Sequence, residues 1–176
     1  RELVNIFFAR SNIFHRKGKY QESAENLITA NNIKLRINKS EANLLIDKTK
    51  KLKISSDNYE SNNQKFENYS IPIFIVGLPR CGSTLVESII SLNNKVRDLG
   101  EVNIFEESYR EYKQSEKQKS LSEIYWKKLK ITDSKTITTN KWLFNYQYAG
   151  IIAKSIPNAK IIHCYRNPLD LSLIHI

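Results

Sequence analysis

The sequence predicts an α/β protein: a P-loop-type parallel sheet flanked by helices, preceded by a helical segment. Three observations carry this expectation. "IPIFIVG" (Ile71–Gly77) is a short continuous apolar run bounded by Pro and Gly, the pattern of a strand buried on both faces of a parallel sheet. "GLPRCGST" follows at once and leads into an apolar helical stretch, the strand–loop–helix order of a phosphate-binding loop. Strand-like and helix-like segments then alternate to the end of the chain, which implies parallel strands joined by crossover helices.

Residues 1–54 read as helical. Leu3, Phe7, Ser11 and Phe14 recur at helical spacing, and "KGK" interrupts the run at Gly18. A second helix follows, with Tyr20, Ala24, Leu27 and Ala30 expected on its inner face. Two short antiparallel helices joined by a Gly-x-Tyr turn are similar to one tetratricopeptide repeat, whose period is about 34 residues; Gly18, Tyr20 and Ala30 fit it, while Ser23 stands where the repeat prefers Ala. A lone repeat cannot bury its own face, so further repeats are expected before it. A third helix, "KSEANLLIDKTKKLK", is expected to stack on the pair. Residues 55–70 are polar and rich in Asn and Ser, a linker. From residue 71 to 176 the chain reads as the N-terminal part of the α/β domain. "TLVESIISLNN" is its first crossover helix, and "EVNIFEESYREYKQSEKQ" and "SLSEIYWKKLK" are amphipathic helices. "KTITTNK" is a β-branched strand, "FNYQYAGIIAKSI" a helix ended by Pro157, and "AKIIHCY" a second buried strand.

Composition excludes several classes. No apolar run can span a bilayer, since Gly77 and Pro79 break the longest within a few residues. Cys81 and Cys164 are too few for a disulfide scaffold and read as two thiols in a reducing compartment. They make no ligand spacing with His15, His163 or His175, so no metal is expected. A net charge of +10 invites a nucleic-acid partner, but the excess is spread: 13 basic against 8 acidic residues precede Ile71, and 15 against 10 follow from it. No basic face results, and no nucleic acid is expected. The chain closes on an apolar run, so it is read as a C-terminally truncated fragment; its thiols suggest a cytoplasmic protein, and its start at Arg1 rather than Met leaves room for a leader before it.

The loop Gly77-Leu78-Pro79-Arg80-Cys81-Gly82-Ser83-Thr84 has the spacing G-x-x-x-x-G-K-[ST], with Ser83 where the lysine belongs. Glycines still let backbone N–H groups turn inward around an anion, and the helix after them adds its positive end. Missing is the cation that reaches the β- and γ-phosphates of a nucleoside triphosphate. Arg80 returns a charge as a planar fork suited to a tetrahedral oxyanion. The loop therefore suits a compact 5′-phosphate group rather than a triphosphate with magnesium.

"PIFIVGLPRCGSTLVESII" resembles the 5′-phosphosulfate loop of sulfotransferases, particularly bacterial-type ones with tetratricopeptide repeats ahead of the transferase domain, and is similar to that of tyrosylprotein sulfotransferases. Three more stretches carry the resemblance: "DLGE", "TTNKWLFNY" and "IPNAKIIHCYRNPLD". It implies a sulfotransferase that moves a sulfuryl group from 3′-phosphoadenosine 5′-phosphosulfate (PAPS) to a hydroxyl acceptor without a metal. By the same resemblance Glu101 is the base, and Arg80 and Lys141 stabilise the transferred group. Arg80, Cys81, Gly82, Ser83 and Thr84 would hold the 5′-phosphosulfate and Arg166 the 3′-phosphate, while the helical repeats would take a protein partner. The sequence departs from the family at Cys81, usually Ser, and at Trp142 and Leu143, usually a Pro-containing segment. The family's 3′-phosphate-binding serine would fall at Ile174, with Ser172 two residues early.

Two other readings compete. A P-loop nucleotide kinase would want a lysine at position 83 and a strand ending in a magnesium-binding Asp, and "AKIIHCYRN" offers none. A non-catalytic module with helical repeats and a degenerate transferase domain would keep the loop without the chemistry.

Overall fold

The computed structural model describes residues 1–60, 70–115, 119–130, 137–156 and 158–174, leaving out the side chains of 172–174. The chain forms two compact units, Arg1–Asp47 and Lys48–Ile176.

In the first unit, α1 (Glu2–Arg16) and α2 (Tyr20–Ile37) pack side by side. Gly18 ends α1 in the left-handed region (φ 72°), which lets the N–H groups of Gly18 and Lys19 return to the carbonyls of His15 and Phe14. The hairpin's interior differs from the predicted stripe. Val4, Ser11, Ser23 and Ala30 are buried, whereas Leu3, Tyr20 and Ala24 are exposed. Ser23 explains the shift. Its hydroxyl donates to the Ser11 carbonyl at 2.9 Å while the Ser11 hydroxyl donates to the Ser23 carbonyl at 2.9 Å. This reciprocal pair satisfies both buried hydroxyls and brings the helices together over small residues.

The second unit holds four parallel strands: β1 (Ile71–Gly77), β2 (Val96–Asp98), β3 (Ile137–Asn140) and β4 (Lys160–Cys164), in the order β2-β3-β1-β4. The expected parallel sheet flanked by helices is present. Helices α4 (Ser83–Ile90), α5 (Ile104–Gln114), α6 (Leu121–Leu129), α7 (Ala149–Ser155) and α8 (Pro168–Ile174) accompany it. Strand β2 lies outside the sequence expectation, because Val96 followed by Arg97 and Asp98 is too short an apolar signal to read as a strand. The predicted helix over "FNYQYAGIIAKSI" is instead a 3₁₀ segment, Leu143–Tyr148, followed by α7; its expected stop, Pro157, lies outside the described residues.

Phe74 and Val76 of β1 meet Phe105 and Tyr109 of α5, Tyr125 of α6 and Tyr148 in one buried aromatic core. Phe74 and Phe105 pack edge to face at 5.8 Å, and Phe105 repeats that geometry with Tyr148 at 5.8 Å. Each fully buried aromatic ring contributes roughly 1.5–3 kcal/mol. α6 starts on a capping box, with Ser120 and Glu123 each satisfying the other's backbone N–H.

The third helix, α3 (Ala42–Asp57), runs past the boundary read at residue 54, and its second half, from Lys48, belongs to the sheet-containing unit. Leu52 enters the aromatic core, and Lys154 caps the helix end by donating to the Ser56 and Asp57 carbonyls at 2.6 and 3.2 Å. Of the expected linker, residues 61–69 lie outside the described residues.

Candidate functional site

Because all four strands run the same way, their C-terminal ends share one edge of the sheet, and the segments leaving them meet there. β1 leads into the glycine loop, β2 into Glu101, β3 into Lys141 and β4 into Arg166. The connection leaving β1 runs to β2 on one side of the sheet and the one leaving β3 runs to β4 on the other, and these opposite directions open a crevice at the ends of the central strands β1 and β3. A cavity of about 600 Å³ occupies that crevice. Arg80, Gly82, Ser83, Thr84, Glu101 and Arg166 all line it, with Trp142, Leu143 and Phe144 forming an apolar wall.

The loop adopts a conformation that most residues avoid. Arg80 has φ 69° and Gly82 φ 96°, both left-handed. For Arg80 this costs about 1–2 kcal/mol, a strain of the kind that functional loops retain. Between Arg80 and Gly82 the Cys81 N–H closes a turn on the Leu78 carbonyl at 3.2 Å, whereas the first N–H groups of α4, which starts at Ser83, have no partner within the helix. The result is an anion cradle with a guanidinium on its rim.

Cys81 is the one predicted loop residue that does not line the cavity. Its thiol turns back toward β4, whose last residue, Cys164, pairs in register with Gly77. Burial pushes the Cys164 thiol up, and the neighbouring Cys81 thiol adds to the rise. A small residue at position 81 therefore faces inward, which is where the departure from serine falls.

Glu101 and Lys141 are brought together by backbone. The Leu99 N–H donates to the Thr139 carbonyl at 2.9 Å, and the Lys141 N–H donates to the Gly100 carbonyl at 3.0 Å, extending the β2–β3 pairing to the residues themselves. Asn140, fully buried, locks the junction. Its amide donates to the Val102 carbonyl at 3.0 Å, and its oxygen accepts from the Trp142 N–H at 2.9 Å and the Asn145 amide at 3.2 Å. Thus held, the Lys141 ammonium lies 3.1 Å from Glu101 Oε1. The two side chains differ in access: that of Glu101 is 61% exposed and that of Lys141 14%.

Sequence reasoning missed Glu87, the second carboxylate beside Lys141. Its Oε2 lies 3.7 Å from Lys141 Nζ, and its Oε1 accepts from Thr139 Oγ1 at 3.0 Å. In "TLVESII" it is only a polar position in an apolar helix; the one available signal is its spacing of four from Ser83, which puts both on the same face of α4. Asn140 was missed for a similar reason, since "TTNK" does not say which polar residue turns inward. Arg166 is half-exposed, 3.9 Å from Asp170 in the first turn of α8. Ser172 and Ile174, the positions tied to the 3′-phosphate serine, fall in α8, but their side chains lie outside the described residues.

The arrangement can hold a tetrahedral oxyanion against backbone N–H groups and Arg80, with Glu101 on the cavity wall, Lys141 paired to it from behind the lining, and a second guanidinium at the far strand. A protein of Aquifex aeolicus (strain VF5), described only as an uncharacterized protein, is 30% identical over 123 residues, covering 58% of this chain. The chain spans only 16% of that relative's length. No solved structure matches the chain significantly. The profile of the sulfotransferase family matches residues 72–173, from the second residue of β1 into α8, and so takes in the loop, Glu101, Lys141 and Arg166. The chain belongs to the sulfotransferase family.

Proposed function

We propose that this site transfers a sulfuryl group from PAPS to a hydroxyl acceptor. The observation that carries the reading is the convergence, on one edge of a parallel sheet, of a lysine-free anion cradle with Arg80, the Glu101–Lys141 pair and Arg166. The cradle fits the donor: two left-handed residues and a helix start suit one tetrahedral group, and Ser83 stands where a triphosphate site carries its lysine. PAPS supplies an activated sulfuryl group on its 5′-phosphate.

The chain's residues divide the remaining work. The N–H groups of Gly82, Ser83 and Thr84, with Arg80, hold the 5′ end, and Arg166 takes the 3′-phosphate through charge-assisted hydrogen bonds. Lys141 offsets charge on the sulfuryl oxygens and the bridging oxygen. Removing a preorganised donor of this kind costs about 3–4 kcal/mol of barrier. Glu101 takes the acceptor hydroxyl's proton, a contribution of about 10²–10⁴ in rate. The acceptor oxygen forms the new S–O bond, the bond to the 5′-phosphate oxygen breaks, and the negative charge leaves on the nucleotide. Acceptor selection falls to the Trp142–Phe144 wall. The α1–α2 hairpin, turning at Gly18, fits a tetratricopeptide-like role in binding a protein partner. No helix among the described residues is long and apolar enough to cross a membrane.

Calorimetric titration of the intact protein with the product nucleotide, 3′-phosphoadenosine 5′-phosphate (PAP), and with ATP tests the reading. PAP should bind far better than ATP, with no help from magnesium. Magnesium-dependent ATP binding of equal strength would overturn it.

A further inference from the structure

Glu87 is a charged residue with almost no access to water. Its side chain is 7% exposed, and it shares the buried face of α4 with Ser83. Burying a carboxylate costs several kcal/mol unless a cation and hydrogen bonds compensate it. Among the described residues one cation lies within ion-pair distance, Lys141 at 3.7 Å, and one hydroxyl donates to it, Thr139 at 3.0 Å. Thr139 is itself fully buried on β3, two residues before Lys141. The carboxylate is therefore clamped by the strand that carries the lysine.

Lys141 in turn stands between two carboxylates of opposite character. Glu101 is closer, at 3.1 Å, but exposed; Glu87 is farther and fixed. If Glu101 accepts a proton during transfer, it becomes neutral and its hold on the ammonium fades. Glu87, buried and held by the Thr139 hydroxyl, takes no part in that exchange and keeps its place beside the ammonium. We infer that Glu87 is a positioning residue that holds the Lys141 ammonium beside Glu101, which lines the cavity, while Glu101 is free to exchange partners. The inference rests on the sulfuryl-transfer reading for its consequence in rate, but not for the contact itself.

Four forms of the intact protein test it: wild type, Glu87→Gln, Lys141→Ala and the double variant. Glutamine keeps the volume and the acceptor for Thr139 while removing the charge. The acetylation rate of Lys141 by acetic anhydride, referenced to Lys95, should rise several-fold in Glu87→Gln. PAP affinity should stay within about threefold, while single-turnover transfer from PAPS to 2-naphthol falls about tenfold to a hundredfold, the span of a coupled pair. In the Lys141→Ala background the same change should cost almost nothing further; a merely structural loss would multiply. Should Glu87→Gln fold poorly, Thr139→Val releases the carboxylate from its clamp and should produce the same signature in weaker form. Unchanged Lys141 labelling, or losses that multiply in the double variant, would overturn the inference. A wild type that neither binds PAP nor transfers would instead overturn the sulfuryl-transfer reading, and the labelling result would still decide whether Glu87 holds Lys141.

Discussion

Gly77 and Cys164 stand side by side at the ends of β1 and β4, so close that any side chain on Gly77 would run into the Cys164 carbonyl oxygen. The same point lies 3.0 Å from Cys81 Sγ, and Gly77 has φ 154°, where side chains are seldom tolerated. Neither neighbour can yield cheaply, because one is backbone in a sheet and the other sits in the loop. Gly77→Ala should cost about 2–5 kcal/mol, combining overpacking with backbone strain. Urea unfolding of the intact protein measures it, and PAP binding should fall together with stability, since the loop must move to make room.

Within the site, substitutions should separate by role. Glu101→Ala should leave PAP affinity nearly intact, because a carboxylate holds no anion, while turnover falls by about two to four orders of magnitude. Arg166→Ala should weaken PAP by several-fold to about a hundredfold through the lost charge-assisted fork, with a smaller loss of turnover at saturation. Arg80→Ala should harm both. PAP affinity and single-turnover rate, measured for each variant, check this; near wild-type transfer by Glu101→Ala would move the base elsewhere.

Acid stability should depend on Glu106. Burial pushes its carboxyl up, but hydrogen bonds from Lys48 at 2.9 Å and Arg110 at 2.6 Å outweigh that and hold it below the ordinary carboxylate value. A depressed folded-state pKa means stability that is fully present above the unfolded value and lost as pH falls through the folded one. Glu106→Gln should therefore lose about 1–3 kcal/mol near neutral pH and lose less than wild type on acidification from pH 5 to 3. Denaturant midpoints across that range give the answer; parallel pH curves for the two proteins would rule the role out.

Gly150 is required for packing rather than for conformation. A Cβ there would meet the Ser56 hydroxyl on α3 and lie 3.2 Å from Ser56 Cβ. Gly150→Ala should cost about 1–3 kcal/mol by overpacking, and Ser56→Ala should recover part of it by removing the hydroxyl. A double-mutant cycle in urea would read the coupling, and strict additivity would show that α3 does not rest on α7 here.

What the sequence determined by itself is what is written locally. The apolar run before Gly77 defines a strand, the spacing to Ser83 and Thr84 defines an anion loop, and the β-branched and apolar runs near Thr139 and Ile162 define two more strands. Alternation then implies a parallel sheet, and parallel strands alone put Arg80, Glu101, Lys141 and Arg166 at one edge. The tertiary structure decided what depends on a facing partner. β2 is a strand only because β3 pairs with it, since nothing in Val96–Asp98 is apolar enough to announce it. The hairpin's interior runs through Ser11 and Ser23 because each finds the other's carbonyl, a match that periodicity cannot see. Glu87 looks like a solvated position until Thr139 and Lys141 arrive from 52 and 54 residues away to neutralise it. Hydrophobic pattern is a property of a segment, whereas the cost of burying a charge is set by what stands opposite, and only the fold says what that is.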